Sequence, residues 1–196
     1  MPSSKKIGLY FGTFNPIHVG HLTIANYMVE FSDLDEVWMV VTPHNPHKKK
    51  KTLLDDTHRL TMVRVALEDY PKLMASNIEF DLPQPNYTIH TLAHLEETYP
   101  DHAFCLIMGE DNLKNFHKWK NYDVILDHYA IYVYPRIAEG TVAHEFVGHE
   151  KITKVNAPIM ELSSTFIRKA ISEGKNIRSM LPQNVWEYLD EMNFYR

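Results

Sequence analysis

Apolar residues fall along this chain in two patterns. The first is unbroken: Lys6-Ile7-Gly8-Leu9-Tyr10-Phe11 ending at Gly12, Val37 to Val41 closing at Thr42-Pro43, Ala103 to Met108 closed by Gly109, Ala130 to Tyr134, and Ile152 to Val155. Short runs without polar alternation predict strands buried on both faces. The second pattern spaces its apolar residues along one helical stripe. It predicts a helix from His21 to Phe31, with Leu22, Ala25, Met28 and Val29 on one face, and another through Leu60, Val63 and Leu67, with Asp56 as its cap. Further helices are predicted from Thr88 to Glu97, from Tyr122 to Leu126, from Ser163 to about Ile171, where Gly174 ends it, and from Pro182 through Leu189. Ile78-Glu79-Phe80 reads as one more short strand, before a turn with Pro83 and Pro85. Buried strands alternating with helices predict an α/β fold, a doubly wound and mostly parallel sheet covered on both faces. With no repeat and no clear linker, residues 1–196 read as one domain whose part from about 160 onward is helical.

Composition narrows the function classes. No apolar run approaches the length of a membrane helix, and Met1 to Lys6 lacks the apolar core of a signal peptide, so a cytoplasmic protein without membrane attachment is expected. The single cysteine, Cys105, lies in an apolar run and reads as a core residue in a reducing compartment. A net charge of −5 argues against a nucleic-acid binder held by a broad positive field, so any phosphate must sit in a local pocket.

Ligands of such a sheet sit beyond the carboxyl ends of the strands, which directs attention to four segments. Gly12-Thr13-Phe14-Asn15-Pro16-Ile17-His18-Val19-Gly20-His21 is neither the glycine pattern of dinucleotide-dependent oxidoreductases nor a P-loop. It offers backbone N–H groups at Gly12 and Thr13, the imidazoles of His18 and His21, and a helix start, a combination that suits an anion. The blander readings are a capping or surface histidine pair and half of a zinc site. The zinc reading lacks a third ligand at motif spacing. The segment after the second strand, Thr42 to Lys48, faces the same crevice, and Lys48 can reach a phosphate, whereas Lys49 to Lys51 read as solvated charges. In Ser163-Ser164-Thr165-Phe166-Ile167-Arg168 the hydroxyls read as helix caps, yet Arg168 projects near the same end and suits a polyphosphate. After the fourth strand, Gly109 permits close approach of a ligand, and Asp111 can cap a helix or bind a ribose hydroxyl. Trp119 is either core or a stacking platform for a flat ring.

The first and third segments together resemble the nucleotidyltransferases with a His-x-Gly-His motif. Across nearly the whole chain the sequence resembles the bacterial nicotinate mononucleotide adenylyltransferases. Supporting stretches are Pro46-His47-Lys48, His58 to Val63, Glu79 with Pro85 to Leu92, Met108 to Leu113, Phe116 to Lys120, and the tail from Leu181 to Tyr195. It departs from the family pattern at Phe11 (often glycine), and at Asn15 and His90 (often aspartate). The resemblance implies in-line attack of the mononucleotide phosphate on the α-phosphorus of ATP, with pyrophosphate leaving and no covalent enzyme intermediate. It implies that His18, His21, Lys48 and Arg168 carry the catalysis. ATP would be held by Gly12, Thr13, Phe14, His18, His21, Gly109, Asp111, Ser163, Thr165 and Arg168, and the mononucleotide by Thr13, Lys48, Tyr87, Thr88 and Trp119. Mg2+ would travel with ATP rather than on protein ligands, and a homo-oligomer is compatible with the family. The competing readings are a pantetheine-phosphate adenylyltransferase, against which Trp119 and Tyr87-Thr88 argue, a non-catalytic nucleotide sensor, and a histidine-rich zinc protein.

Overall fold

The computed structural model describes residues 4–43, 52–137 and 146–196. The described strands are β1 (Lys6–Gly12), β2 (Glu36–Val41), β3 (Leu73–Ser76), β4 (Ala103–Gly109), β5 (Ile131–Tyr134) and β6 (Ile152–Lys154). They form one sheet in the order β3-β2-β1-β4-β5-β6, and every neighbouring pair is parallel. The helices are α1 (Val19–Phe31), α2 (Asp56–Ala66), α3 (Thr88–Thr98), α4 (Glu110–Lys114), α5 (Tyr122–His128), α6 (Ser164–Ser172) and α7 (Gln183–Glu191).

The strand pleat divides the core in two. Tyr10, Met39, Cys105, Ile107, Tyr132 and Tyr134 pack on one face against buried residues of α1, α2, α6 and α7. Ile7, Leu9, Val40, Leu106, Met108, Ile131 and Val133 pack on the other against residues of α3, α4 and α5. Both faces are covered, which is why these strands carry no polar alternation. Cys105 is buried, and its thiol donates to the Ile7 carbonyl at 3.3 Å.

Two expectations are corrected. Ile78 to Phe80 is a turn, and the third strand is Leu73–Ser76. Ile78 and Phe80 are apolar because they pack under that turn, one against each core. The edge strand β3 pairs only with β2 and buries little beyond Leu73, so its own pattern is weak. At α2 the capping position is Asp55, with no side-chain cap bond. Asp56 is the first helical residue, and its carboxylate pairs with Arg59.

The strand order reverses direction between β1 and β4, and there the connections leave toward opposite faces of the sheet. The parallel register sets Tyr10 beside Ile107, which brings Gly12 level with Gly109, and Gly109 pairs in turn with Tyr134. The carboxyl ends of three central strands therefore open onto one crevice, the place where this architecture takes a ligand.

Candidate functional site

The first wall of the crevice is the connection from β1 to α1. Phe14 adopts a left-handed backbone (φ 45°) although it is not glycine, and its ring is buried. It meets the His21 ring edge-on at 5.1 Å and lies beneath Gly12, where an added Cβ would come within 2.9 Å of it. A strained backbone of this kind persists only where its surroundings hold it. His18 is the N-cap of α1 in extended conformation, and its backbone N–H donates to Nδ1 of His21 at 3.3 Å. The two imidazoles stack with centroids 3.7 Å apart. Gly20 makes room for this stack, since a Cβ there would lie 3.0 Å from Nδ1 of His18.

This geometry fixes protonation. Burial and then the Arg136 charge bring the His18 pKa down to about 4. Burial, with His18 and Arg136 adding to it, holds His21 well below the ordinary imidazole value. Both rings are neutral near pH 7. Because Nδ1 of His21 accepts a backbone hydrogen bond, its proton sits on Nε2, leaving that N–H as a donor. His21 is largely enclosed but keeps an accessible edge, while His18 is buried with Nδ1 unpartnered. A buried polar atom without a partner is costly unless a ligand or water supplies one.

The second wall is α6. Ser163 caps it, its Oγ accepting from the Phe166 N–H at 3.2 Å, so the Ser163 hydroxyl proton stays available. Ser164 donates to the Pro16 carbonyl at 2.8 Å. Arg168 donates from Nη1 to the Asn15 carbonyl at 2.8 Å and from Nη2 to Thr165 Oγ1 at 3.3 Å. A guanidinium has five N–H donors, so several remain for a ligand. The helix thus arrives at the β1–α1 loop, more than 140 residues away in sequence, with Arg168 and Thr165 side by side. A cleft of about 490 Å3 opens beside them, lined by Thr52, Leu54, Thr165, Arg168, Tyr195 and Arg196 among others.

Gly109 ends β4 and forms the third wall. A Cβ there would sit 2.3 Å from Asp111 Oδ1 and 2.8 Å from Cδ of Arg136, so only glycine lets these side chains close over the strand end. Asp111 lies in the first turn of α4, 3.9 Å from Arg136 Nε, and its Oδ1 has no hydrogen bond.

A further group of predicted residues gathers around Lys120. Tyr87 is exposed at the N-cap of α3, a helix with no side-chain cap and no acid in its first turn, although the His90 N–H already donates to the Tyr87 carbonyl at 2.8 Å. Lys120 sits 4.4 Å over the Tyr87 ring and 3.3 Å from His90. Next to it, Trp119 is half-buried and packs edge-on to Phe116 at 5.4 Å. The buried Glu79 accepts from Thr91 Oγ1 of α3 at 2.7 Å.

The structure therefore brings Gly12, Thr13, Phe14, His18, His21, Gly109, Asp111, Ser163, Thr165 and Arg168 to one crevice, while Tyr87, Thr88 and Trp119 lie in a separate group around Lys120, with no contact to that crevice among the described residues. Lys48 lies outside the described residues. Residue spacing did not single out Arg59, Arg136 and Tyr195. Arg59 is fully buried and donates to the carbonyls of Thr13 (2.6 Å), Thr42 (2.8 Å) and Leu54 (3.0 Å), tying the ends of β1 and β2 together. Arg136 follows β5 and supplies positive charge beside both histidines. The strand-end rule applied to β5 would have found it. Among the described residues no three histidine, cysteine or acidic side chains cluster to hold a metal ion.

Comparison with known proteins identifies the family and the fold. A cytidylyltransferase-like family model matches residues 9–170. The chain is 67% identical over 193 residues to the probable nicotinate-nucleotide adenylyltransferase of Christiangramia forsetii, covering 98% of this chain and 100% of that protein. It is 45% identical to the probable nicotinate-nucleotide adenylyltransferase of Bacteroides thetaiotaomicron, covering 95% of this chain and 91% of that one. Its fold is similar to that of Plasmodium falciparum nicotinic acid mononucleotide adenylyltransferase complexed with NaAD. The TM-score is 0.81 at 19% identity, with 97% of each chain covered.

Proposed function

Since this chain belongs to the cytidylyltransferase-like family and, within it, to the nicotinate-nucleotide adenylyltransferases, we propose that it joins ATP to nicotinate mononucleotide, making nicotinate adenine dinucleotide and pyrophosphate in the cytoplasm. The observation that carries the reading is the neutral His18–His21 stack at the start of α1, with one imidazole N–H left as a donor beside the crevice.

A phosphate oxygen of the mononucleotide attacks the α-phosphorus of ATP in line. The new O–P bond forms as the bond from the α-phosphorus to the bridging oxygen breaks, and pyrophosphate leaves with that electron pair. The attacking oxygen is already ionised, so the reaction needs no general base, and catalysis is positioning and charge stabilisation. His21 Nε2–H donates to the α-phosphate oxygens as charge builds there. His18 holds the neighbouring phosphate, and backbone groups of Gly12, Thr13 and Phe14 complete that cradle. Ser163, Thr165 and Arg168 take the β- and γ-phosphates, and Arg136 adds positive charge from β5. Lys48 steers the mononucleotide phosphate. Gly109 and Asp111 contact the adenosine side. Trp119 stacks on the pyridine ring, with its carboxylate near Tyr87 and Thr88 at the bare start of α3.

The donor set fits a phosphate-borne Mg2+ better than a protein-held one. The described groups around the histidine stack are N–H and O–H donors, the Asp111 carboxylate faces Arg136, and no three metal-ligating side chains cluster among the described residues. Bound with ATP, Mg2+ would neutralise phosphate charge.

Purified protein with ATP and Mg2+ should release pyrophosphate rapidly with nicotinate mononucleotide and far more slowly with the amide. A buried mismatch between carboxylate and amide is heavily penalised. Turnover with phosphopantetheine alone would overturn the roles given to Trp119 and Tyr87. ATP binding without turnover of any acceptor would leave a nucleotide sensor.

A further inference from the structure

The last residues of the chain return to the catalytic loop. After α7, Asn193 and Tyr195 both take left-handed backbone conformations, φ 54° and 65°. For asparagine this is ordinary. For tyrosine it is an outlier, which persists only when the surroundings over-determine it. What determines it here is visible at both ends of the tail. Phe194 is anchored by its N–H to the Leu189 carbonyl at 3.1 Å and by its ring against His58 at 4.8 Å. The Tyr195 hydroxyl then donates to Asn15 Oδ1, 180 positions earlier in sequence.

Asn15 is a hub. Its Oδ1 also accepts from the Leu54 N–H at 3.2 Å, its Nδ2 donates to the Thr52 carbonyl at 2.8 Å, and its own carbonyl accepts from Arg168 Nη1 at 2.8 Å. The residue is buried, so each bond is sheltered from water. Only an amide can serve this set, because an aspartate here could not donate to Thr52. The Tyr195 phenol lies between Arg59 and Arg168, and burial keeps it protonated. Tyr195 and Arg196 also line the cleft beside Thr165 and Arg168.

We infer that Tyr195 is a positioning residue for ATP: through Asn15 it fixes the carbonyl that aims Arg168 at the triphosphate, so the carboxyl-terminal tail forms part of the phosphate site. The inference rests on the proposed reaction through the role given to Arg168. Tyr195 itself touches no reacting atom. Its hydroxyl sets where the guanidinium points.

The decisive variant is Tyr195→Phe, which removes one oxygen and keeps the ring packing. Loss of a sheltered hydrogen bond should raise the KM for ATP, and the Kd for ATP measured by calorimetry without acceptor, by about 3- to 10-fold. The KM for nicotinate mononucleotide and kcat should stay near wild type, and the melting temperature should fall by no more than about 2–4 °C, the cost of one hydrogen bond. In an Arg168→Ala background the same substitution should have no further effect on ATP affinity, because the two act in series. An unchanged ATP affinity in Tyr195→Phe would overturn the inference. So would equal losses in both substrates together with a larger fall in melting temperature, or a full effect persisting without Arg168. Failure of the wild-type protein to use nicotinate mononucleotide would sink the proposed reaction instead, while the ATP calorimetry would still judge the tail.

Discussion

The two ends of the sheet treat their polar groups in opposite ways. At the amino ends of the strands, charges are matched. Lys6 reaches Asp33 at 2.6 Å and the Tyr132 hydroxyl at 2.8 Å, Lys5 pairs with Glu36, and Glu36 also accepts from Trp38 Nε1 at 3.0 Å. Only Nδ1 of His102 is left over in that neighbourhood. At the carboxyl ends, the Arg136 charge lies beside two neutral imidazoles, Arg168 keeps unused N–H donors next to Thr165, His18 Nδ1 and Asp111 Oδ1 lack hydrogen bonds, and a non-glycine residue holds a left-handed backbone. One end is complete as it stands. The other keeps donors and positive charge in hand, which the proposed reaction would use on a phosphate.

The contrast can be broken most severely at His21. His21→Ala should lower kcat by about 100- to 1000-fold, the range for losing one donor to developing charge, with the Kd for ATP changed far less. Steady-state kinetics at saturating substrates would check it, and wild-type turnover in this variant would end the case for the histidine stack.

Acid should expose the same asymmetry. His18 titrates at about 4 in the fold and near 6.5 when unfolded. Its folded value is the lower one, so the unfolded chain binds the extra proton first. The stability it contributes is present above pH 6.5 and falls away as pH drops through 4. This group alone should remove about 3 kcal/mol across that window, with His21 adding in the same direction. Denaturant unfolding at stepped pH would measure it. A His18→Asn variant should flatten the slope.

Gly109→Ala tests the closing of side chains over β4. The added methyl must displace Asp111 or Arg136, and misplacement on this scale should cost about 10- to 100-fold in kcat/KM, with modest change in melting temperature. The smallest effect is expected at the opposite end. Lys6→Ala removes a partly exposed ion pair and should shift stability by about 1 kcal/mol or less, with kcat and KM unchanged. A kinetic defect there would erase the distinction between the two ends.

Much of the fold is written in the hydrophobic pattern. β1, β2 and β4 are apolar on both sides because helices cover both faces, and that leaves an unambiguous signature. β3 is less legible because an edge strand pairs once and buries little. The neighbouring Ile78 and Phe80 are apolar for the sake of a turn. In the crevice, residues at strand ends and helix starts such as His18, His21 and Ser163 are readable because their position follows from topology. Arg59 and Tyr195 are not. They act through carbonyl and amide groups brought close only by the finished fold, at sequence separations of 46 and 180, and nothing in their local spacing announces it.

Arg59 has one more consequence. Its guanidinium has no exposure to solvent, and three carbonyls and Asp56 surround it. Dissolved ions screen charges they can approach, over about 8 Å at physiological ionic strength. They cannot enter the shell around this one. Raising the salt concentration should therefore erode the attraction of the exposed cations for a polyphosphate while the Arg59 bonds that hold the loop carbonyls persist, leaving the backbone and imidazole donors in place. ATP affinity should fall with ionic strength and then level off.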